Sequence, residues 1–145
     1  MNKNRKLHFD KMYLKMAQLI ANNSYAEKKK VGSLVVKNRT IISDGFNGTP
    51  AGFPNGCEYN IPSKKGKTLP EVLHAEENAI TKLASSTNSS SGATMYITIP
   101  PCSRCARLII QSNITRVVYV ESYKNEEGII LLELAGVKIE QIEIS

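Results

Sequence analysis

The chain has 145 residues, 41% hydrophobic and 22% charged, the proportions of a globular protein with one domain, residues 1–145, around one core. It holds no apolar run of membrane-spanning length, and the basic opening MNKNRKLHF leads into no secretory h-region, so neither a membrane span nor a secretory leader is expected and a cytoplasmic protein is. Three cysteines, Cys57, Cys102 and Cys105, speak against a disulfide framework, and 19 Lys plus Arg against 13 Asp plus Glu give a net charge of +6 that favours anionic partners such as nucleotides or nucleic acid.

Residues 8–22 place Phe9, Met12, Tyr13, Met16, Leu19 and Ile20 at three- and four-residue spacings, which predicts an amphipathic packing helix. VGSLVVK (31–37) and TIISDGF (40–46) are β-branched runs separated by Asn38 and Arg39, a hairpin with a tight turn. From 47 to 70 the chain is dense in Gly, Pro and Asn, and a loop this long inside a compact domain is usually functional or mobile. VLHAEENAITKLA (72–84) has helical spacing, SSTNSSSG (85–92) is a polar connection, and ATMYITI (93–99) is a strand that ends at Pro100 and Pro101. Those prolines set the start of a helix over 102–112, since proline is tolerated in a first turn but not inside. A strand (116–122), a helix (126–136) closed by Gly136 and an alternating strand (137–144) complete the chain. The alternation predicts an α/β fold with a central sheet covered by helices, without repeats or linkers.

Two cysteines three residues apart at a helix start can point at one ion, and the positive end of the helix lowers their thiol pKa. Zinc takes Cys thiolates and His nitrogens, and a catalytic zinc uses three protein ligands with a fourth position open to water. Cys102, Cys105 and His74 supply that number, provided the two helix starts lie side by side. Glu76 lies two residues after His74, about 200° around an ideal helix, so it reaches the same site only if the helix start departs from regular geometry; there it would act as a proton carrier. The competing reading of the CxxC is a thioredoxin-like redox pair. That motif needs no His and Glu upstream, and their presence decides against it.

HAE (74–76) followed by PCSRC (101–105) is the signature of the zinc-dependent nucleobase deaminases. With the hairpin opening VGSLVV, the stretch GFNGTPAGFPNGCEY (45–59), HAEENAI and PPCSRCARLIIQSNI, nearly the whole chain resembles the deoxycytidylate (dCMP) deaminase family. The GxNGxPxG loop separates that family from tRNA adenosine deaminases, which share the other two motifs. The resemblance implies a cytidine deaminase-like three-layer αβα sandwich with a central five-stranded mixed sheet, Zn2+, dCMP as substrate and a homo-oligomer, often a hexamer. It also raises regulation by dCTP with Mg2+ and by dTTP at the GxNGxPxG loop, and makes nucleic acid an improbable partner. Carried over by position, His74, Cys102 and Cys105 match the zinc ligands, Glu76 the proton shuttle, Asn47 a contact to the sugar and the Ala75 backbone a contact to the pyrimidine carbonyl. Some relatives hold a second, structural zinc; Cys57 has no cysteine or histidine close in sequence, and a free thiol is expected.

Other assignments keep two readings each. Asn47 is also a candidate for a turn residue of positive φ between Gly45 and Gly48. Lys28, Lys29 and Lys30 are a solvated basic turn or a phosphate contact, with Lys28 the first choice and Ser24 nearby. Tyr123 is either a core tyrosine or a residue packed on base or sugar. Deamination of another base, and a nucleotide-binding protein without turnover, remain as competing functions; the presence of Glu76 counts against the latter.

Overall fold

A computed structural model describes residues 1–144. Five strands, β1 (Gly32–Lys37), β2 (Thr40–Phe46), β3 (Thr94–Ile97), β4 (Arg116–Tyr119) and β5 (Lys138–Gln141), form one sheet in the order β2-β1-β3-β4-β5. β1 pairs antiparallel with β2 and β3, whereas β3–β4 and β4–β5 are parallel, so the sheet is mixed. Four helices cover it: α1 (Lys3–Ala21) on one face, and α2 (Ala75–Ala84), α3 (Ser103–Gln111) and α4 (Glu127–Leu134) on the other. This is the expected αβα sandwich.

The two-residue period of the strands sorts their side chains between the layers. Leu34 and Val36 of β1, Tyr96 of β3 and Val118 of β4 pack with Tyr13, Leu14 and Ala17 of α1. Val35, Met95, Ile97 and Val117 point the other way, into a core closed by Ala79, Ala106, Ile109 and Leu132. Strands buried on both faces leave no polar alternation to read, which is why β1 appears in the sequence as a nearly continuous apolar run.

Several boundaries differ from expectation, each for a local reason. α1 begins at Lys3 because Asn2 caps it, its Oδ1 accepting from the Arg5 N–H at 2.8 Å. α2 begins at Ala75 and not at Val72, because the backbone of Leu73 is already paired with Gly48. β3, β4 and β5 are each four residues long, shorter than their apolar runs. The 47–70 segment contains no regular element and is tied down by isolated bridges, Gly48 to Leu73 and Glu58 to Thr68. No described helix is long and apolar enough to cross a membrane.

One buried ion pair joins α1 to the sheet. Both carboxylate oxygens of Asp10 accept from the Arg116 guanidinium, at 2.9 and 2.7 Å, and Oδ1 also accepts from the Tyr96 hydroxyl at 2.6 Å. Burial raises the Asp10 pKa, but the hydrogen bonds from Arg116 and Tyr96 and the guanidinium charge together outweigh it, leaving the carboxyl below its ordinary 3.8. The pair therefore stabilises the fold fully above pH 3.8, and the contribution is lost as pH falls through the lowered value. Asp10→Asn is expected to cost about 3 kcal/mol at pH 7, measured by urea unfolding. The variant should also lose stability less steeply than the natural chain below pH 4, about where an unperturbed Asp titrates.

Candidate metal centre and active site

Both ligand-bearing segments end strand-side loops at the same end of the sheet and turn into helices there. His74 is the N-cap of α2 and Cys102 the N-cap of α3, each with extended backbone (φ −71°, ψ 159° and φ −72°, ψ 172°). His74 Nδ1 lies 3.5 Å from Cys102 Sγ and 3.2 Å from Cys105 Sγ, and the three donor atoms all lie within 4.8 Å of one another. Tetrahedral zinc with Zn–S near 2.3 Å and Zn–N near 2.0 Å separates sulfur from nitrogen by about 3.5 Å, so the donor set fits that ion. The extended N-cap also resolves the position of Glu76. The 200° offset applies to two helical residues, and His74 is not one.

Close packing places the two helix starts. A Cβ at Gly45 of β2 would stand 2.4 Å from the Ala75 carbonyl oxygen, and one at Gly128 of α4 would stand 1.9 Å from that of Pro101. Only glycine lets β2 and α4 come so near the segments that carry His74 and Cys102. Ser33 Oγ donates to the Ala75 carbonyl at 2.9 Å, Ser43 Oγ to that of Ala79 at 2.7 Å, and Asn78 Nδ2 to that of Phe46 at 2.8 Å, which fixes α2 against β1 and β2. Glu77 joins the two helices: its Oε1 accepts from the His74 N–H at 2.8 Å and from Arg104 at 2.9 Å.

The electrostatics follow from this crowding. Cys102 is held far below an ordinary thiol, at about 3, first by a hydrogen bond from Cys105 and, against the cost of burial, by His74. Cys105 is raised, by the same hydrogen bond and by burial, and His74 is raised chiefly by its bond to Cys102. Metal binding must displace those protons. Glu76 is 4% exposed, and burial pushes its carboxyl up to about 7, against its backbone hydrogen bond and the His74 charge, which suits a group that takes and returns a proton near neutrality.

Above these groups opens a cavity of ≈ 270 Å³. Of the residues singled out in the sequence, Lys28, Lys29, Asn47, Cys57, His74, Ala75, Glu76, Cys102 and Tyr123 line it. Asn47 does not have positive φ; its side chain accepts from the Val31 N–H and donates to the Lys29 carbonyl, both at 2.8 Å, and so clasps the lysine segment to the end of β2. Ser24 is absent from the lining: its buried hydroxyl donates to the Asn47 carbonyl and accepts from the Ala26 N–H, so it braces the wall from behind. Tyr123 is 57% exposed at the cavity rim, which overturns its reading as a core tyrosine. Cys57 is a buried free thiol packed with Ala26 and Val72.

Sequence reasoning missed Glu58, whose carboxylate accepts from the Glu27 and Lys28 N–H groups at 3.2 and 3.4 Å, and Glu121, which pairs with Lys29 at 3.1 Å. No local pattern marks either one. The acids meet the lysines only because the 47–70 loop and the end of β4 fold over the same mouth.

A histidine and two cysteines within reach of one ion, on this sheet order, place the chain among the zinc-binding proteins of the cytidine deaminase-like class. Residues 7–121 match the cytidine and deoxycytidylate deaminase zinc-binding region, and the chain belongs to that family. It is 37% identical to the deoxycytidylate deaminase of Enterobacteria phage T4, over 79% of this chain and 79% of that one. It is 34% identical to that of Saccharomyces cerevisiae over 94% of this chain, but spans only 46% of the yeast protein's length. The crystal structure of dCMP deaminase from the cyanophage S-TIM5 in complex with dCMP and dUMP superimposes with a TM-score of 0.87 at 38% identity, covering 98% of this chain and 99% of that one.

Gly128→Ala is expected to push Pro101 and Cys102 off the donor set and to weaken zinc binding by about tenfold or more. Competition with a chromophoric chelator measures it.

Proposed function

We propose that the protein is a single-domain zinc-dependent dCMP deaminase that converts dCMP and water to dUMP and ammonia. The observation that carries this reading is the one cavity lined by His74, Cys102, the buried Glu76 and the cationic Lys28 and Lys29, with Cys105 Sγ 3.2 Å from His74 Nδ1 completing the donor set. The relatives and the S-TIM5 complex support the choice of nucleotide.

His74, Cys102 and Cys105 would hold the ion. When bound, zinc acts as a Lewis acid that brings the pKa of a water down to about 7. Glu76 takes one proton of the attacking water and passes it to the ring nitrogen N3 as the C4–O bond forms, then carries the second proton of that water to the exocyclic nitrogen as the C4–N bond breaks and ammonia leaves; its shielding from solvent keeps the protonated and ionised forms close in energy. The Ala75 N–H occupies the first position of α2, where no intrahelical acceptor exists, and is free to bind the pyrimidine carbonyl. Asn47 spends one donor and one acceptor on the Lys29–Val31 backbone, leaving its second amide proton for a sugar hydroxyl. Lys28 meets the phosphate, with Lys29 beside it.

The same reading carries the remaining expectations: a cytoplasmic homo-oligomer, a hexamer, with dCTP and Mg2+ or dTTP acting on the GxNGxPxG loop. In support, the end of that loop and the residues after it are exposed from Ala51 to Gly56 and present Phe53 half-exposed, a surface suited to a neighbouring subunit or an effector.

The test is ammonia release from dCMP, deoxycytidine and CMP by zinc-loaded protein, with and without dCTP and Mg2+. Turnover selective for dCMP is expected, and its absence with zinc bound would overturn the reading. Glu76→Gln should keep zinc and lose turnover by about 10²-fold or more. Lys28→Ala should raise KM for dCMP by about tenfold, the worth of one charged hydrogen bond, and leave KM for deoxycytidine unchanged.

A further inference from the structure

At the end of the sheet opposite the metal centre, where β1 finishes and β3 and β4 begin, a second cavity of ≈ 160 Å³ opens among Lys6, Phe9, Asp10, Lys37, Arg39 and Arg116. Four cationic side chains face it and one carboxylate. That carboxylate is spent: Asp10 is held by Arg116 and Tyr96, and Arg116 is in turn shared with Glu140 at 3.0 Å. Among the described residues, Lys6, Lys37 and Arg39 take part in no ion pair, and Lys37 Nζ reaches only the Ser89 carbonyl at 3.4 Å. Three cations from α1, β1 and the β1–β2 turn, none in an ion pair, thus border one small space; Lys6 still feels the Asp10 and Glu140 carboxylates, and an entering anion would relieve the repulsion that is left.

Arg39 adds a second observation. With Asn38 it forms the two-residue turn of the hairpin, and both residues have positive φ, 51° and 58°. Such a turn favours Asn followed by Gly, and an ordinary L-residue held there is strained. The strained residue is also anchored. The Tyr13 hydroxyl donates to its carbonyl at 3.1 Å, and its guanidinium lies 5.2 Å from the centre of the Phe9 ring. A cation kept at a costly backbone position and laid on an aromatic face beside a cavity points to recognition.

We propose that this cavity binds a phosphate group, separate from the catalytic cavity. A guanidinium flanked by two ammonium groups matches the charge and oxygen geometry of phosphate better than that of a single carboxylate, and the volume suits one phosphate group and not a whole nucleoside. Free phosphate and the phosphate end of a nucleotide share this chemistry.

The test uses the zinc-loaded full chain, titrated calorimetrically with inorganic phosphate at constant chloride ionic strength. Arg39→Gly and Lys6→Gln are each expected to weaken phosphate binding by about tenfold. Arg39→Gly should melt no lower than the natural chain without phosphate, because glycine adopts the turn without strain. Lys28→Ala, which removes the phosphate contact of the catalytic cavity, should leave the Arg39-dependent component of the binding intact. Titration with dCTP separates the sources: tighter binding that also depends on Arg39 assigns the site to a nucleotide's phosphate end, and binding no tighter than inorganic phosphate assigns it to the free anion. The proposal fails if phosphate binds the natural chain and Arg39→Gly equally, if Lys28→Ala abolishes the Arg39-dependent component, or if only RNA binds in an Arg39-dependent way.

Discussion

His74 Nδ1 and Cys105 Sγ stand 3.2 Å apart across 31 residues of chain, and the architecture around them serves to hold that separation. A three-donor centre tolerates little displacement, because each ligand must lie near 2 Å from a common point. The constraint is met by putting each donor at the start of a helix, where the backbone is already fixed by the first turn, and by pressing those helix starts against glycines. Gly45 and Gly128 thus set where the donors stand through the backbone they touch. Glu77 completes the frame by tying the His74 backbone to Arg104 on the cysteine-bearing helix.

The same closeness produces the chemistry. Exclusion of water raises the Glu76 carboxyl into the neutral range, while hydrogen bonding within the ligand set pulls Cys102 the other way. Two acidic groups in one pocket are thus pushed in opposite directions by their surroundings. Around the rim the requirement changes from reactivity to charge. Lys28 and Lys29 lie on a segment without regular structure, so their placement depends on clasps from elsewhere: Asn47 at the end of β2, Glu58 in the long loop and Glu121 beyond β4. Glu58 holds the backbone of Lys28 and Glu121 the ammonium of Lys29, which sets where both cations stand at the cavity.

α1 spans the distance between the two ends of the sheet. Its first half carries Lys6, Phe9, Asp10 and Tyr13 to the far cavity, and its last turn leads into the segment bearing Lys28 and Lys29. The contact is tight at Gly32, where a Cβ would stand 2.0 Å from the Ala17 carbonyl oxygen, and at the other end it is secured by the Asp10–Arg116 pair. A helix fastened at both ends makes the sheet and both cavities one mechanical unit.

The sequence by itself determined the elements and the donor set. Apolar periodicity located four helices and five strands, and the HAE and PCSRC spacings marked His74, Glu76, Cys102 and Cys105, because these signals arise within a few residues of chain. Boundaries were less legible: the start of α2 is set by the pairing of Leu73 with Gly48, a contact made 25 residues away. The roles of Asn47, Ser24 and Tyr123 were decided only by the tertiary structure, which made the first a clasp, the second a brace behind the wall and the third an exposed rim residue. Glu58, Glu121 and the basic cavity around Arg39 left no local mark at all, since each depends on side chains brought together from segments far apart in the chain. Residue type and short-range spacing fix which chemistry is available, and packing between distant segments decides which groups share one space.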